Sequence, residues 1–371
     1  MDLRYGKITV KVGSNVLAKA DGTLNVARIA HLVDQIALLH KKGVEVILVS
    51  SGAVAAGKAV LEPLRKSDAV SKRQLWAALG QVKLISRYSD FFNERGLVCA
   101  QVLITKENFS SRGHSLNMKN CMGTLLENRV IPIVNENDTI SVTELMFTDN
   151  DELSGLIASM VNSEALIILS NVDGIYNVPP ENEDARLIRK VGLEDRIAES
   201  AITGNHSDFG RGGMLTKFKI AKKVANNGIS VHLANGFRDN ILFNILSEKE
   251  TSGHTWFEPA RKPASGVKKW IAHSNGFTTG EVVINQGAAL AMRSSKAVSL
   301  LPVGIVRVEN EFKKGDLIRI MDESGNTIGM GKARYGSDKV EAEKKSKKQK
   351  ALIHYDYLYL EKAATRREYE D

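Results

Sequence analysis

Hydrophobic and polar positions in the N-terminal two thirds of the chain follow two alternating patterns. Short, mainly apolar runs predict strands buried on both faces, and between them apolar residues recur every third or fourth position, as in amphipathic helices. This alternation is typical of an α/β domain with a mostly parallel sheet sandwiched by helices. The predicted strands cover residues 7–12, 44–49, 97–104, 130–134, 166–169 and 230–233, and the predicted helices cover 25–42, 71–94, 116–128, 151–161 and 213–226.

The pattern changes after Gly253. A segment at 255–269 is rich in Pro, Lys and Arg and predicts a linker. Beyond it, short alternating runs with turn signals predict a small, barrel-like β domain, in which Tyr355, Tyr357 and Tyr359 alternate as in a strand. The predicted organisation is an α/β domain at 1–255, a linker at 256–276, a β domain at 277–360 and a C-terminal tail at 361–371.

Composition narrows the classes of function. Hydrophobic residues make up 43% and charged residues 25%, which is typical of a globular protein with a normal core. The longest apolar runs are strand-sized and no apolar leader follows Met1, so we expect a cytoplasmic protein that does not span a membrane. Cys99 and Cys121 lack a CxxC spacing, which favours two small buried hydrophobes over a disulfide or a metal site. The net charge of +8 owes much to a basic cluster at 344–350.

Two short motifs at the ends of predicted strands are suited to anions. Lys11 lies near the end of the first strand and Gly13 follows, so an ammonium group and backbone N–H groups can approach phosphate oxygens together. Ser51 and Gly52 follow the strand at 44–49 and predict a concave loop rich in N–H groups. Each motif alone also fits a surface lysine or a tight strand-to-helix turn.

Two clusters of Asn and Asp suit a small zwitterion. Residues 135–138 follow the strand at 130–134, and Asp149, Asn150 and Asp151 open the next predicted helix. Their amides and carboxylates could hold the ammonium and carboxylate groups of an amino acid together. They could instead form turns and helix caps, or bind Mg²⁺.

A glycine-rich loop at 210–213 opens the helix at 213–226. Free N–H groups and the positive end of the helix dipole favour phosphate at such a position. Lys217 lies one turn into the helix, where it can reach a γ-phosphoryl group. The Walker A pattern is absent, and the alternative is a flexible loop beside a surface lysine.

These motifs occur in the order seen in the amino acid kinase family, and together they most resemble its glutamate 5-kinase branch. Residues 71–81 also resemble the helix that follows the substrate loop in these enzymes, and residues 277–356 resemble a PUA domain. The motifs that carry the resemblance are VKVGSNV at 10–16, VSSGAVAAGK at 49–58, VNEND at 134–138, DNDELSG at 149–155 and GRGGMLTK at 210–217.

The resemblance implies a reaction and a set of site residues. ATP would donate its γ-phosphate to the side-chain carboxylate of L-glutamate, giving glutamyl 5-phosphate in the first step of proline biosynthesis, with Mg²⁺ bound to the nucleotide rather than to a protein metal site. Lys11 and Lys217 would neutralise the transferring phosphoryl group, and Asp151 would hold both lysines. The implied substrate-binding residues are Ser51, Gly52, Asp138 and Asn150. The implied nucleotide-binding residues are Lys11, Gly13, Ser170, Asn171, Arg211, Gly212, Gly213, Met214, Leu215, Thr216 and Lys217.

The sequence departs from the family pattern at two places. Ser170-Asn171 stands where Thr-Asp is usual, and Arg211 stands where a threonine or another small residue is common. All of these side chains keep hydrogen-bonding capacity, so the departures concern the details of nucleotide contact rather than the activity.

The resemblance also suggests partners. It implies a homo-oligomer, either a dimer or a tetramer, feedback inhibition by proline near Asp138 and Asn150, and transfer of the product to glutamyl phosphate reductase. The alternatives are kinases of the same family acting on N-acetylglutamate, aspartate, carbamate or UMP, and an inactive kinase-like protein that binds RNA through the basic cluster at 344–350. The intact Lys11, Asp151 and Lys217 favour an enzyme, and a solvated charged face explains the basic cluster more simply.

Overall fold

The computed structural model describes residues 3–61, 68–110, 112–141, 149–178, 180–193, 195, 213–247, 253–261, 278–294, 298–346 and 349–360. The chain divides into two compact units, one formed by Met1–Lys106 with Met118–Pro263 and the other by Glu107–Asn117 with Ala264–Asp371. Most of the predicted linker at 256–276, the predicted tail at 361–371, and the loop residues Arg211 and Gly212 lie outside the described residues. The domain boundaries therefore stay predictions.

The first unit is built on an eight-stranded sheet. Its strands, in chain order, are β1 Lys7–Val12, β2 Glu45–Ser50, β3 Cys99–Ile104, β4 Ile131–Glu136, β5 Ala165–Ser170, β6 Lys190–Val191, β7 Ser230–Asn235 and β8 Thr255–Phe257. The order across the sheet is β3-β4-β2-β1-β5-β7-β8-β6. The first six strands in that order are parallel, β8 is antiparallel to β7, and β6 is parallel to β8. The predicted, mostly parallel sheet is confirmed.

The register brings the carboxyl ends of the central strands to one edge. Val12 of β1 lies beside Ser50 of β2 and Leu169 of β5, and Ser170 of β5 lies beside Asn235 of β7. Each loop that follows these strands therefore opens on the same side of the sheet, which is where ligands bind in open α/β folds.

Helices cover both faces of this sheet. Ile167 and Leu169 of β5 pack into one buried cluster, whereas Leu166 and Ile168 face the opposite way into another, because successive strand residues point to opposite faces. The helices of the described residues, in chain order, are α1 Ser14–Leu17, α2 Val26–Lys41, α3 Ala53–Lys58, α4 Ala69–Glu94, α5 Glu107–Ser110, α6 Arg112–Glu127, α7 Asn150–Met160, α8 Met214–Asn226, α9 Ile241–Leu246, α10 Gln286–Arg293 and α11 Val340–Lys344.

Several helices begin at a side-chain cap. Asn25 accepts a hydrogen bond from the backbone N–H of Arg28 at 3.1 Å and starts α2, as the sequence predicts. Asp68 accepts from the N–H groups of Val70 and Ser71 and starts α4. These caps satisfy N–H groups that have no partner inside the helix, which fixes where each helix starts.

The second unit contains a five-stranded sheet. Its strands are β9 Gly280–Ile284, β10 Ile305–Asn310, β11 Leu317–Asp322, β12 Thr327–Lys332 and β13 Leu358–Leu360, in the order β10-β9-β11-β12-β13. The pairing is antiparallel except between β9 and β11. A buried cluster that includes Val282, Ile320 and Phe312 forms its core.

One element was not predicted, and two local expectations are wrong. The unpredicted element is α10, a short helix capped by Asn285. Tyr355 and Tyr357 lie in a 3₁₀ turn rather than a strand, and β13 begins only at Leu358. Cys121 is exposed and Cys99 half-buried, so neither is the fully buried hydrophobe expected.

Candidate active site

A buried carboxylate between two lysines lies at the carboxyl edge of the first sheet. Asp151 is in the first turn of α7 and is fully buried. Its Oδ1 lies 2.5 Å from Nζ of Lys11 on β1, and its Oδ2 accepts a hydrogen bond at 2.8 Å from Nζ of Lys217 on α8. Three residues that are far apart in sequence are thus brought together as the motifs predict.

Electrostatics keep this carboxylate ionised. Burial opposes the charged form, but the nearby ammonium groups of Lys11 and Lys217 outweigh it and hold the pKa of Asp151 below its ordinary value. Each carboxylate oxygen takes one ammonium group. The arrangement fixes two positive charges at one place, as required to stabilise charge on a phosphoryl group.

Asp149 caps α7 beside this pair. Its Oδ1 accepts hydrogen bonds from the N–H groups of Asp151 and Glu152 at 2.9 and 3.0 Å. Burial and the neighbouring charge of Asp151 raise the pKa of Asp149. Of the two caps considered from the sequence, the structure uses Asp149, which leaves the Asp151 side chain free to pair with the lysines.

Gly13 follows β1 and lies against the lysine. A Cβ built on Gly13 would lie 3.3 Å from the carbonyl oxygen of Leu169 and 3.6 Å from Nζ of Lys11. Its N–H donates to that same carbonyl at 3.1 Å, which ties β1 to β5. A side chain here would occupy space next to the ammonium group, so glycine keeps access to Lys11 open.

Two of the predicted substrate residues, Ser51 and Asn150, share a hydrogen-bonded network. Nδ2 of Asn150 donates to Oγ of Ser51 at 2.9 Å and to Oδ1 of Asn135 at 3.0 Å. Gly52, next to Ser51, has φ of +101°, a conformation that favours glycine because it carries no Cβ. Since Asn150 precedes Asp151, this network is directly continuous with the lysine–carboxylate group.

Asp138, the remaining predicted substrate residue, pairs with an arginine. Nη2 and Nε of Arg73, on α4, donate to Oδ1 of Asp138 at 2.7 and 3.2 Å. Gln74 donates to the carbonyl oxygen of Thr139 at 2.8 Å, and the same helix thereby holds the backbone of this loop.

Sequence reasoning missed the contribution of α4. Besides Arg73 and Gln74, Oε1 of Gln81 accepts from Nδ2 of Asn135 at 2.9 Å, and the hydroxyl of Tyr88 bonds Oγ of Ser50 at 2.9 Å. Polar residues seven positions apart, Gln74, Gln81 and Tyr88, lie on one face of a helix. That spacing was the available signal.

The predicted nucleotide residues lie at the ends of β5 and α8. Oγ of Ser170 both accepts from the N–H of Val172 and donates to its carbonyl, which shapes the turn, and Asn171 is exposed. Gly213 is the N-cap of α8 and makes no side-chain cap hydrogen bond to the first N–H groups of the helix. Met214, Leu215 and Thr216 form the first turn of α8, before Lys217. Arg211 and Gly212 lie outside the described residues.

One carboxylate at this edge of the sheet is suited to contact Mg²⁺ that a nucleotide carries. Among the described residues, no group of three or more His, Cys, Asp or Glu side chains has metal-binding geometry. Mg²⁺ is commonly held by substrate phosphates with one or two carboxylates. Asp149 is the carboxylate that could contact such an ion, because its Oδ1 caps the helix while its buried Oδ2 has no hydrogen bond to any of the described residues.

Two family models match separate parts of the chain. The model of the amino acid kinase family matches residues 6–235, and the model of the PUA domain matches residues 280–355. The chain belongs to the amino acid kinase family and carries a C-terminal PUA domain.

Curated relatives narrow the family further. Glutamate 5-kinase from Bacteroides thetaiotaomicron is 55% identical, with 97% of this chain and 100% of that enzyme covered. Glutamate 5-kinases from Chlorobaculum tepidum and Caldanaerobacter subterraneus are 46% and 40% identical, covering 96% and 95% of this chain and 98% and 94% of those enzymes. Within the amino acid kinase family, this chain belongs with the glutamate 5-kinases.

Proposed function

We propose that this protein transfers the γ-phosphoryl group of ATP to the side-chain carboxylate of L-glutamate, giving L-glutamyl 5-phosphate for proline biosynthesis. The observation that supports the proposal is the buried Asp151 between Lys11 and Lys217, at the sheet edge where the predicted glutamate-binding residues also lie. The choice of L-glutamate as the substrate is supported by the glutamate 5-kinase relatives, which are similar over nearly the whole chain.

The reaction needs positioning rather than a general base. A glutamate side chain ionises near pH 4, so the attacking carboxylate is already negative at neutral pH. Attack of one carboxylate oxygen on the γ-phosphorus forms the new P–O bond as the bond to the ADP oxygen breaks. Lys11 and Lys217 stabilise the charge on the transferring group, and Asp151 keeps both ammonium groups in place.

The remaining residues bind and orient the two substrates. Ser51, Gly52, Asn150 and Asp138 would hold the amino acid, while the turn at Ser170-Asn171 and the N-terminus of α8 would hold the nucleotide phosphates. Bound Mg²⁺ would neutralise phosphate charge, and Asp149 is the residue we assign to it.

The proposal is tested by trapping the product. Purified protein with L-glutamate, ATP and Mg²⁺ should release ADP and, in the presence of hydroxylamine, form γ-glutamyl hydroxamate. The same assay with N-acetylglutamate, aspartate, carbamate and UMP separates the other activities of the family, and we expect turnover with L-glutamate alone. No hydroxamate from L-glutamate would refute the proposal.

The expectations about partners and location stay predictions. A homo-oligomer is tested by light scattering, and transfer to glutamyl phosphate reductase by channelling assays. Feedback inhibition by proline near Asp138 and Asn150 predicts that Asp138→Ala weakens the inhibition. No helix in the described part of the chain is long and apolar enough to cross a membrane.

A further inference from the structure

Arg73 pairs with a predicted substrate residue, but no role in substrate binding has been assigned to it so far. Its side chain is about one third exposed, whereas that of Asp138 is only 11% exposed. Two guanidinium nitrogens contact the same carboxylate oxygen, Oδ1 of Asp138. The other oxygen, Oδ2, has no hydrogen bond with any of the described residues.

This one-sided geometry leaves both partners with unused capacity. An arginine paired fully with a carboxylate normally makes two parallel bonds to two oxygens. Here Oδ2 of Asp138 can accept from an incoming ammonium group, and Nη1 of Arg73 keeps its N–H donors, since it bonds none of the described residues. A carboxylate and a guanidinium that can each form a further hydrogen bond thus lie side by side.

Neighbouring contacts hold Arg73 where it is. Nη2 also lies 4.0 Å from a carboxylate oxygen of Glu136, which is buried at the end of β4. Gln74, the next residue of α4, anchors the backbone at Thr139. If a substrate ammonium group pairs with Asp138, the guanidinium of Arg73 therefore stays in place, but its positive charge is less well compensated. An α-carboxylate of the substrate can supply the missing negative charge.

We propose that Arg73 binds the α-carboxylate of the amino-acid substrate while Asp138 binds its ammonium group. This inference rests on the proposed function and extends it, because it assigns the residue that distinguishes an α-amino acid from a simple amine. The side-chain carboxylate of the substrate would then point along Asn135 and Asn150 toward Lys11 and Lys217.

Two glutamate analogues isolate this contact, because both retain the carboxylate that accepts phosphate. 4-Aminobutyrate lacks only the α-carboxylate, and glutarate lacks only the ammonium group. The experiment measures kcat/KM for all three compounds by ADP release, in wild type and in Arg73→Met, Arg73→Lys and Asp138→Asn. Arg87→Met is the matched control, since Arg87 lies on the same helix and pairs with Asp90 on the surface at 4.0 Å.

The expected pattern is selective. Arg73→Met should lower kcat/KM for L-glutamate by about 30-fold or more, which is typical of truncating one partner of a charged contact, mainly through KM. It should leave kcat/KM for 4-aminobutyrate within about threefold of wild type, because that compound has no group for Arg73 to bind. Asp138→Asn should lower kcat/KM for both L-glutamate and 4-aminobutyrate. Arg87→Met should have the kcat/KM values of wild type.

Other outcomes overturn the inference. If Arg73→Met lowers kcat/KM for L-glutamate and 4-aminobutyrate equally, Arg73 serves only to position Asp138. If it changes kcat/KM for neither compound, the residue has no part in substrate binding. Thermal unfolding of each variant checks the fold. Should Arg73→Met fail to fold, Arg73→Lys must still reduce the preference for L-glutamate over 4-aminobutyrate. Wild type that does not phosphorylate L-glutamate would refute the proposed function itself, which is a separate result.

Discussion

At the scale of single residues, the charge balance of the site depends on Asp151. Replacing it with asparagine removes the partner of a lysine whose side chain is only 6% exposed. Breaking a buried ion pair from one side costs about 3–5 kcal/mol, because the remaining charge stays buried without compensation. We expect Asp151→Asn to lower the free energy of unfolding, measured with urea, by that amount. Asp90→Asn, at an exposed pair on α4, should stay within about 0.5 kcal/mol of wild type.

We expect Lys217 to act on the rate of phosphoryl transfer rather than on the binding of glutamate. Its ammonium group is held by Asp151 and its side chain is 15% exposed, so it can contact a phosphate at the carboxyl edge of the sheet. Removing one such electrostatic contact typically costs about 10²- to 10³-fold in kcat. We expect Lys217→Met to lose this much in kcat with little change in the KM for glutamate. Lys219→Met, on the exposed side of the same helix, should keep wild-type kinetics, and an equal loss in both variants would contradict the assignment.

At the scale of elements, the close crossing of α3 and α4 positions the loop at Ser51 and Gly52, to which we assign substrate binding. A Cβ on Gly80 of α4 would lie 1.7 Å from the carbonyl oxygen of Ala53 and 2.5 Å from the N of Gly57, both backbone atoms of α3. No larger residue fits unless α3 moves. Because α3 begins directly after Gly52, such a movement would displace Ser51 and its bond to Asn150.

Gly80→Ala tests this crossing. We expect it to lower the free energy of unfolding by about 1–3 kcal/mol, as overpacking does, and to raise the KM for glutamate more than that for ATP. Gly123→Ala on α6 is the control, since a Cβ there meets no atom within 4 Å, and it should be neutral or stabilising. Equal effects of the two substitutions would show that the crossing does not support the site.

The elements also show how far the sequence could lead. The proximity of Lys11, Asp151 and Lys217 was predictable because each lies in a short motif beside a predicted strand or helix end. Arg73, Gln81 and Tyr88 contact a loop residue and two strand-end residues that are far away in the chain, and local sequence patterns do not reveal such contacts. The helix α10 was missed because its eight residues are too few to show a clear helical period.

At the scale of the whole molecule, stability should depend on pH through a buried histidine. His232 of β7 is fully buried, and its ring bonds His254 at 2.8 Å and Tyr5 at 3.0 Å. Burial, with the nearby His254 and Arg4, holds the pKa of His232 well below its ordinary value. The folded protein therefore keeps this ring neutral over a range in which the unfolded chain protonates it.

The sign of the pH dependence follows from this difference. As the pH falls below about 6.5, the unfolded state gains a proton that the folded state does not, so stability decreases by up to about 1.4 kcal/mol per pH unit for this group. The loss continues until the pH reaches the lowered pKa of the folded state. We expect the free energy of unfolding, measured with urea between pH 7 and pH 5, to show this slope. His232→Gln should reduce the slope by up to about 1.4 kcal/mol per pH unit, which corresponds to one proton. An unchanged slope in the variant would contradict the assignment.

The central claim is that a glutamate carboxylate oxygen attacks the γ-phosphorus at the Lys11–Asp151–Lys217 group. Isotope transfer tests it most directly. L-Glutamate carrying ¹⁸O in its side-chain carboxylate is incubated with ATP, Mg²⁺ and hydroxylamine, and the released phosphate is analysed by mass spectrometry. Because the bridging oxygen leaves with phosphate when hydroxylamine attacks the acyl carbon, one ¹⁸O atom should appear per phosphate, together with γ-glutamyl hydroxamate. Unlabelled phosphate would mean that water is the acceptor, and would contradict the account.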